Sequence, residues 1–299
     1  MERSHEPVQE ILQYVVLPGL SQGAVFGLIA VAFAVLHQTT AVINFAHGQM
    51  VVLAPIAVLV FAGLGIPLWL AFVLALLLLG VVALLAEWAT VRPFVQSGSA
   101  VSWILSTFGA SIVLAEVLAI PNGGDAMHFA YGIDAQPFTV LGLRTSWADL
   151  APIPVLLVVA GLLLLIYRRT RLGQELRAVG EDVVGAEAIG ISRARASQIV
   201  MLIAALIAGI TGYLVASGQV LMPSLGMFYL FSGFVAVSMG GINSVGGAVI
   251  GGLVVGLVSQ AAAVWIGPLF TNLAMFAILI AVYVLRPYGI FGSRPVREV

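Results

Sequence analysis

The sequence predicts an all-α protein that crosses a membrane about eight times, and three observations carry that prediction. Of its 299 residues, 61% are hydrophobic and only 8% are charged, against roughly 25% charged in an ordinary soluble domain. Twelve basic residues, all arginine, and 13 acidic ones cannot coat a globule of that size. The charges are also unevenly placed: no Asp, Glu, Lys or Arg occurs between Glu10 and Glu87, and none between Ala196 and Leu285. Each run is several times the ~20 apolar residues that a helix needs to cross a bilayer. Soluble, collagen-like and disordered classes are excluded, and so is a β-barrel, which would show short alternating segments.

The elements follow in order along the chain. Apolar segments lie at 14–37, 48–64, 67–91, 100–120, 151–167, 197–218, 228–241, 246–266 and 269–285. Pro67, Pro93, Pro121, Pro152, Pro154, Pro223, Pro268 and Pro287 fall mostly at the joints, where a missing backbone N–H costs least. Trp69, Trp88, Trp103, Trp147 and Trp265 stand near segment ends, as an interfacial aromatic belt requires. Some segments are short and broken by glycine, so the count lies between seven and nine crossings. Residues 38–47 can cross, turn or re-enter, and the side of the N-terminus depends on which.

Arginine sets the orientation. Arg168, Arg169, Arg171, Arg177, Arg193 and Arg195 lie in one loop, Arg168 to Gln198; Arg92 follows the third segment, and Arg286, Arg294 and Arg297 follow the last. The positive-inside rule puts these regions, and the C-terminus, in the cytoplasm. The loop from Pro121 to Leu150 holds Asp125, Asp134 and Asp149 against Arg144 and reads as external. Met1 to Glu10 carries three glutamates against Arg3, unlike the basic start of a cleavable signal peptide.

Absences narrow the chemistry. Without cysteine there is no disulfide framework, thiolate metal site or cysteine nucleophile. A net charge of −1 and no long basic run argue against a nucleic-acid partner. His37 and His47 stand ten residues apart without a neighbouring carboxylate, so metal ligation is not expected. Glu87 and Glu116 lie toward segment ends rather than mid-bilayer, which weakens a proton or sodium relay.

Four features could carry function. In the long loop, Leu176, Val179, Val183, Ala186 and Ile189 form an apolar stripe at helical spacing, opposite Arg177, Glu181, Asp182 and Glu187. A helix over about 174–190 could lie on lipid or dock a soluble partner; its mixed-charge polar face favours docking. Gly190 fits a helix stop and Ser192 a cap for the next helix. Asn44 and His47, in Ile43-Asn-Phe-Ala-His-Gly48, are polar groups that lipid cannot satisfy; they bond between helices or line a pathway. The run Ser238 to Gly252 holds six glycines, with Gly240, Gly241, Gly246 and Gly247 expected to break or pack helices. Ile242-Asn243 followed by Gly247 echoes Ile43-Asn44 followed by Gly48, and paired broken segments often flank a transport route. Ser106, Thr107 and Ser111 either back-bond to their helix or line the route. Asn44, His47, Thr107 and Asn243 are therefore expected near the route at mid-membrane.

These residues resemble a known family. Gly23 to Gly48 looks like the N-terminal signature of the branched-chain amino acid ABC permeases of the LivH-like branch. Glu87 with Val91-Arg-Pro-Phe, Trp103 to Ser111, Arg171 to Ile191, and Gly240 to Gly252 are similar to its later segments, in family order. Asn243, where members usually carry Gly, and Gln49, where an acidic residue is common, depart from the pattern and bear on substrate choice. The resemblance implies one permease domain over residues 1–299 in a bacterial inner membrane. It also implies a second homologous permease, two ATPase subunits that hydrolyse ATP, and an extracytoplasmic binding protein. No cofactor is expected on this chain, which has no Walker-type phosphate loop, and no enzymatic activity of its own. Glu181, Asp182, Val183, Ala186, Ile189, Gly190 and Ile191 are expected to couple to the ATPase, with the apolar stripe buried in its groove. Similar permeases carry other amino acids, short amides or urea. An aquaporin-like channel would have Pro-Ala after its asparagines, where Phe-Ala and Ser-Val stand here; a rhomboid-like protease lacks a histidine after His128.

Overall fold

A computed structural model describes residues 6–95, 100–140, 142–286 and 289–292. The orientation signals Arg3, Arg294 and Arg297, and the joint at Pro287, lie outside these residues. The principal helices are α1 Leu17–Thr40, α2 His47–Gly63, α3 Leu68–Ala86, α4 Ala100–Ala119, α5 Pro152–Arg169, α6 Arg171–Glu181, α7 Val183–Ala188, α8 Arg193–Gly218, α9 Leu225–Gly240, α10 Val245–Trp265 and α11 Thr271–Leu285. Among the described residues, seven helical spans are long and apolar enough to cross a membrane, while α2 and α9 are shorter apolar helices. The fold is that of a polytopic helical membrane protein, with a small antiparallel hairpin, β1 Phe138–Val140 and β2 Leu143–Thr145, in the loop expected to be external.

The centre of the bundle is α1. It continues a preceding helical stretch into one span, Gln9–Thr40, and most of its residues are buried. A helix with apolar residues on every face is stable only if other helices surround it. Its closest approach is to α10. Gly19, Gly23 and Gly27 recur every fourth residue on α1 and meet Gly252 and Gly256 on α10; a Cβ on Gly252 would run into the Cα and N of Gly27, and one on Gly256 into Gly23. Lipid supplies no hydrophobic force between helices, so such backbone-to-backbone packing of small residues holds them together. By contrast, α3, α4 and α11 turn most of their apolar surface outward.

The chain re-enters at residues 38–47. Helix α1 stops at Ala41, whose φ of 56° is left-handed, and α2 starts at His47 with its ring 5.3 Å from that of Phe33. Phe33 lies seven residues back along α1, about 10 Å at 1.5 Å per residue. The short α2 therefore begins inside the bundle rather than at its surface. Pro55 interrupts α2, and the Val51 carbonyl that it leaves without an N–H faces Gly212 of α8.

Both ends of the bundle are defined by contacts. At one end, the Gln13 amide donates to the Arg144 carbonyl and accepts from the Arg144 N–H, each at 2.6 Å, and Met127 pairs with Leu221. At the other, Gly180 abuts the Gln38 carbonyl, His37 bonds Asn243, and Ile290 N–H donates to the Met239 carbonyl at 2.9 Å. The start of the α1 span thus shares an end with the Pro121–Leu150 loop. Residues 289–292 share the opposite end with the arginine-rich loop.

Candidate functional site

The arginine-rich loop folds as two helices. Thr170 caps α6 through its hydroxyl, which accepts from Gly173 N–H at 3.1 Å. Asp182 ends α6 in extended backbone and caps α7, its Oδ1 accepting from Val184 and Gly185 N–H at 3.0 Å each. The continuous helix expected over 174–190 is therefore broken at Asp182. Arg177 fastens α6 to the membrane helices by donating to the Tyr167 carbonyl at 2.7 Å.

The apolar stripe, except Ile189, faces the chain's own bundle. Leu176, Val179 and Ala186 are 1%, 1% and 3% exposed, and Val183 is half-buried. This corrects the expectation that the whole stripe is free for an ATPase groove: a stripe tethered beside apolar helix ends buries there first. What projects outward is Ile189, the last residue of the stripe, together with Val184, which lies off it. Val184 is 79% and Ile189 75% exposed, flanked by exposed Glu181, Asp182 and Glu187. Gly190 has φ +88° with open space where a Cβ would be, and Ile191 returns to a half-buried position. Val184 was missed because it lies off the stripe; the signal was an apolar residue on an otherwise polar face.

The four polar residues expected along a route do not converge. Asn44 is fully buried; its Oδ1 accepts from Ala46 N–H at 2.9 Å and its Nδ2 reaches Met201 Sδ at 3.5 Å. It shapes the re-entrant turn. Phe45 stacks edge-on against Phe108 of α4, and beside it Thr107 back-bonds to the Trp103 carbonyl at 2.9 Å. His47 is 1% exposed with Nε2 unpartnered, and Gln49 is as deeply buried with both amide atoms unpartnered. Asn243 lies apart, at the arginine-rich end, bonded to His37 Nδ1 at 3.0 Å. There it lines a cleft of about 580 Å³ with Arg177, Glu181 and Arg193.

The glycine run makes a helix break. Gly240 and Gly247 pack backbone to backbone across it, and Gly241, at φ +105°, leaves room for Gly292 beneath. Ser244 restarts the chain as α10 by accepting from Gly247 N–H at 3.0 Å. Gly246 faces open space.

The chain matches the family described as "Branched-chain amino acid transport system / permease component" over residues 15–283. It belongs to that family. Among curated relatives it is 28% identical to the high-affinity branched-chain amino acid transport system permease protein LivH of Escherichia coli K12, covering 94% of this chain and 96% of that one. It is 27% identical to the permease protein BraD of Pseudomonas aeruginosa, covering 97% and 99%. A solved structure, PsaBC from Streptococcus pneumoniae in complex with Fab, contains a chain with a TM-score of 0.51 at 11% identity, covering 94% and 96%; that likeness is one of fold. The protein is a permease subunit of an ABC importer, and its family is one of transport permeases rather than enzymes.

Proposed function

We propose that this permease carries branched-chain or chemically close amino acids inward across a bacterial inner membrane. The match to the branched-chain permease family over residues 15–283 carries this reading. A second homologous permease completes the route, an extracytoplasmic binding protein delivers substrate at the Pro121–Leu150 end, and two ATPase subunits hydrolyse ATP at the arginine-rich, cytoplasmic end. The exposed ridge of Val184 and Ile189 supports that face as the ATPase dock. Coupling works only because nucleotide-bound and nucleotide-free ATPases bind the two states of the permease with different affinity.

Uptake by the reconstituted transporter tests the substrate. Leucine should accumulate in vesicles only with ATP and binding protein. Uptake of urea or a short amide without leucine would overturn the amino-acid assignment, and solute flux through the permease alone would point to a channel.

A further inference from the structure

Glu87 closes the first uncharged stretch of the chain and is 1% exposed. It opens a π-helical turn, Glu87–Val91, at the end of α3; such turns disturb regular helix bonding and concentrate at functional sites. Its Oε1 accepts from the Ser197 hydroxyl at 2.9 Å, whereas Oε2 is buried with no partner. The carboxylate lines a cavity of about 110 Å³ together with Arg92, Arg193, Glu187 and Ser197. Two acidic and two basic residues line one small space. Among the described residues none of the four pairs with another.

The walls of this cavity come from separate elements of the fold. Glu87 is fixed to the end of α3, Glu187 rides on α7, and Arg193 begins α8 three residues after Gly190. Arg193 also lines the larger cleft beside Glu181 and Asn243. A buried acceptor atom without a partner is costly, and a charge-assisted bond from a guanidinium is the strongest remedy within reach.

We propose that Glu87 and Arg193 form an exchangeable ion pair, open as here, with α7 packed through Ala186 and the cavity beside it unfilled, and closed when a docked ATPase shifts α7 further across that cavity. Closure collapses the cavity and ties the start of α8 to the end of α3, so a displacement of the loop becomes a displacement of two membrane helices. Glu87 is then a positioning residue for transport and touches no substrate. The proposal rests on the permease reading above.

A chain without cysteine makes the test direct. In the assembled transporter, the pair Glu87→Cys with Arg193→Cys is oxidised with copper phenanthroline, nucleotide-free and with a non-hydrolysable ATP analogue. Disulfide formation should be faster with the analogue, and equal rates in the two states would overturn the exchange. In the charge arm, Glu87→Gln keeps the acceptor for Ser197. Glu87→Gln and Arg193→Gln should each lower leucine taken up per ATP hydrolysed about ten-fold, and the double variant should be no worse than either, since paired groups act as one unit. Arg193→Lys should restore most of the ratio. Multiplying defects in the double variant would mean that the residues act independently, and the proposal would fall. Absent ATP-driven uptake by the wild-type transporter would sink the permease reading instead; the cross-linking arm needs nucleotide but no transport and still reports on the pair.

Discussion

Both polar atoms of the Gln49 amide are buried without a partner, and Nε2 of His47, two residues earlier, shares that condition. A buried polar group left unpaired costs about 1–3 kcal/mol, and an apolar residue of similar shape removes the cost. Gln49→Met should therefore leave the melting temperature of the purified permease unchanged or raised. If the amide serves transport, leucine uptake should fall in the same variant. A variant both less stable and fully active would mean that the amide is structural. The sequence marked Asn44, His47 and Thr107 as polar groups that lipid cannot satisfy, and that much was legible. It could not show that Asn44 is answered by Met201, 157 positions away.

The loop helices show where periodicity stops informing. A stripe at three- and four-residue spacing identifies the buried face of a helix, but not what buries it. Here the membrane helices do, and the face left for a partner carries Val184 and Ile189. Val184→Arg with Ile189→Arg should release the ATPase subunits on co-purification while the permease stays folded. Ala186→Arg, which forces a guanidinium into an apolar contact of the permease itself, should lower permease stability by several kcal/mol. Retention of the ATPase by the ridge variant would place the dock elsewhere. The glycines sort in the same way. Gly252→Ala should cost about 1–3 kcal/mol by prying α10 from α1, whereas Gly246→Ala, with open space before it, should be neutral in the same thermal melt.

At the scale of the whole molecule, segment ends were legible to within a few residues, because long uncharged runs bounded by Pro, Gly and Trp leave little choice. The side of the N-terminus was not, since it turned on a re-entrant stretch whose course depends on Phe33 and Gly226 as well as on its own Asn44. The Gln13–Arg144 bonds decide it relative to the loops. Single cysteines at Gln9 and Asp134 should both react with a membrane-impermeant thiol reagent in intact cells, and one at Glu187 should not. Labelling of Gln9 and Asp134 from opposite sides would contradict the arrangement of the bundle.

The glycine seam between α1 and α10 has a consequence for how the protein is made. Helix α1 leaves the ribosome about 200 residues before the face it must meet, which at about 5–20 residues per second is a wait of roughly 10–40 s. During that interval its bare backbone stripe lies against lipid or whatever assists insertion, available to any other small-residue helix nearby. Nascent chains arrested before Val245 should accordingly hold α1 loosely and lose it to membrane proteases, while chains released after Trp265 should protect it.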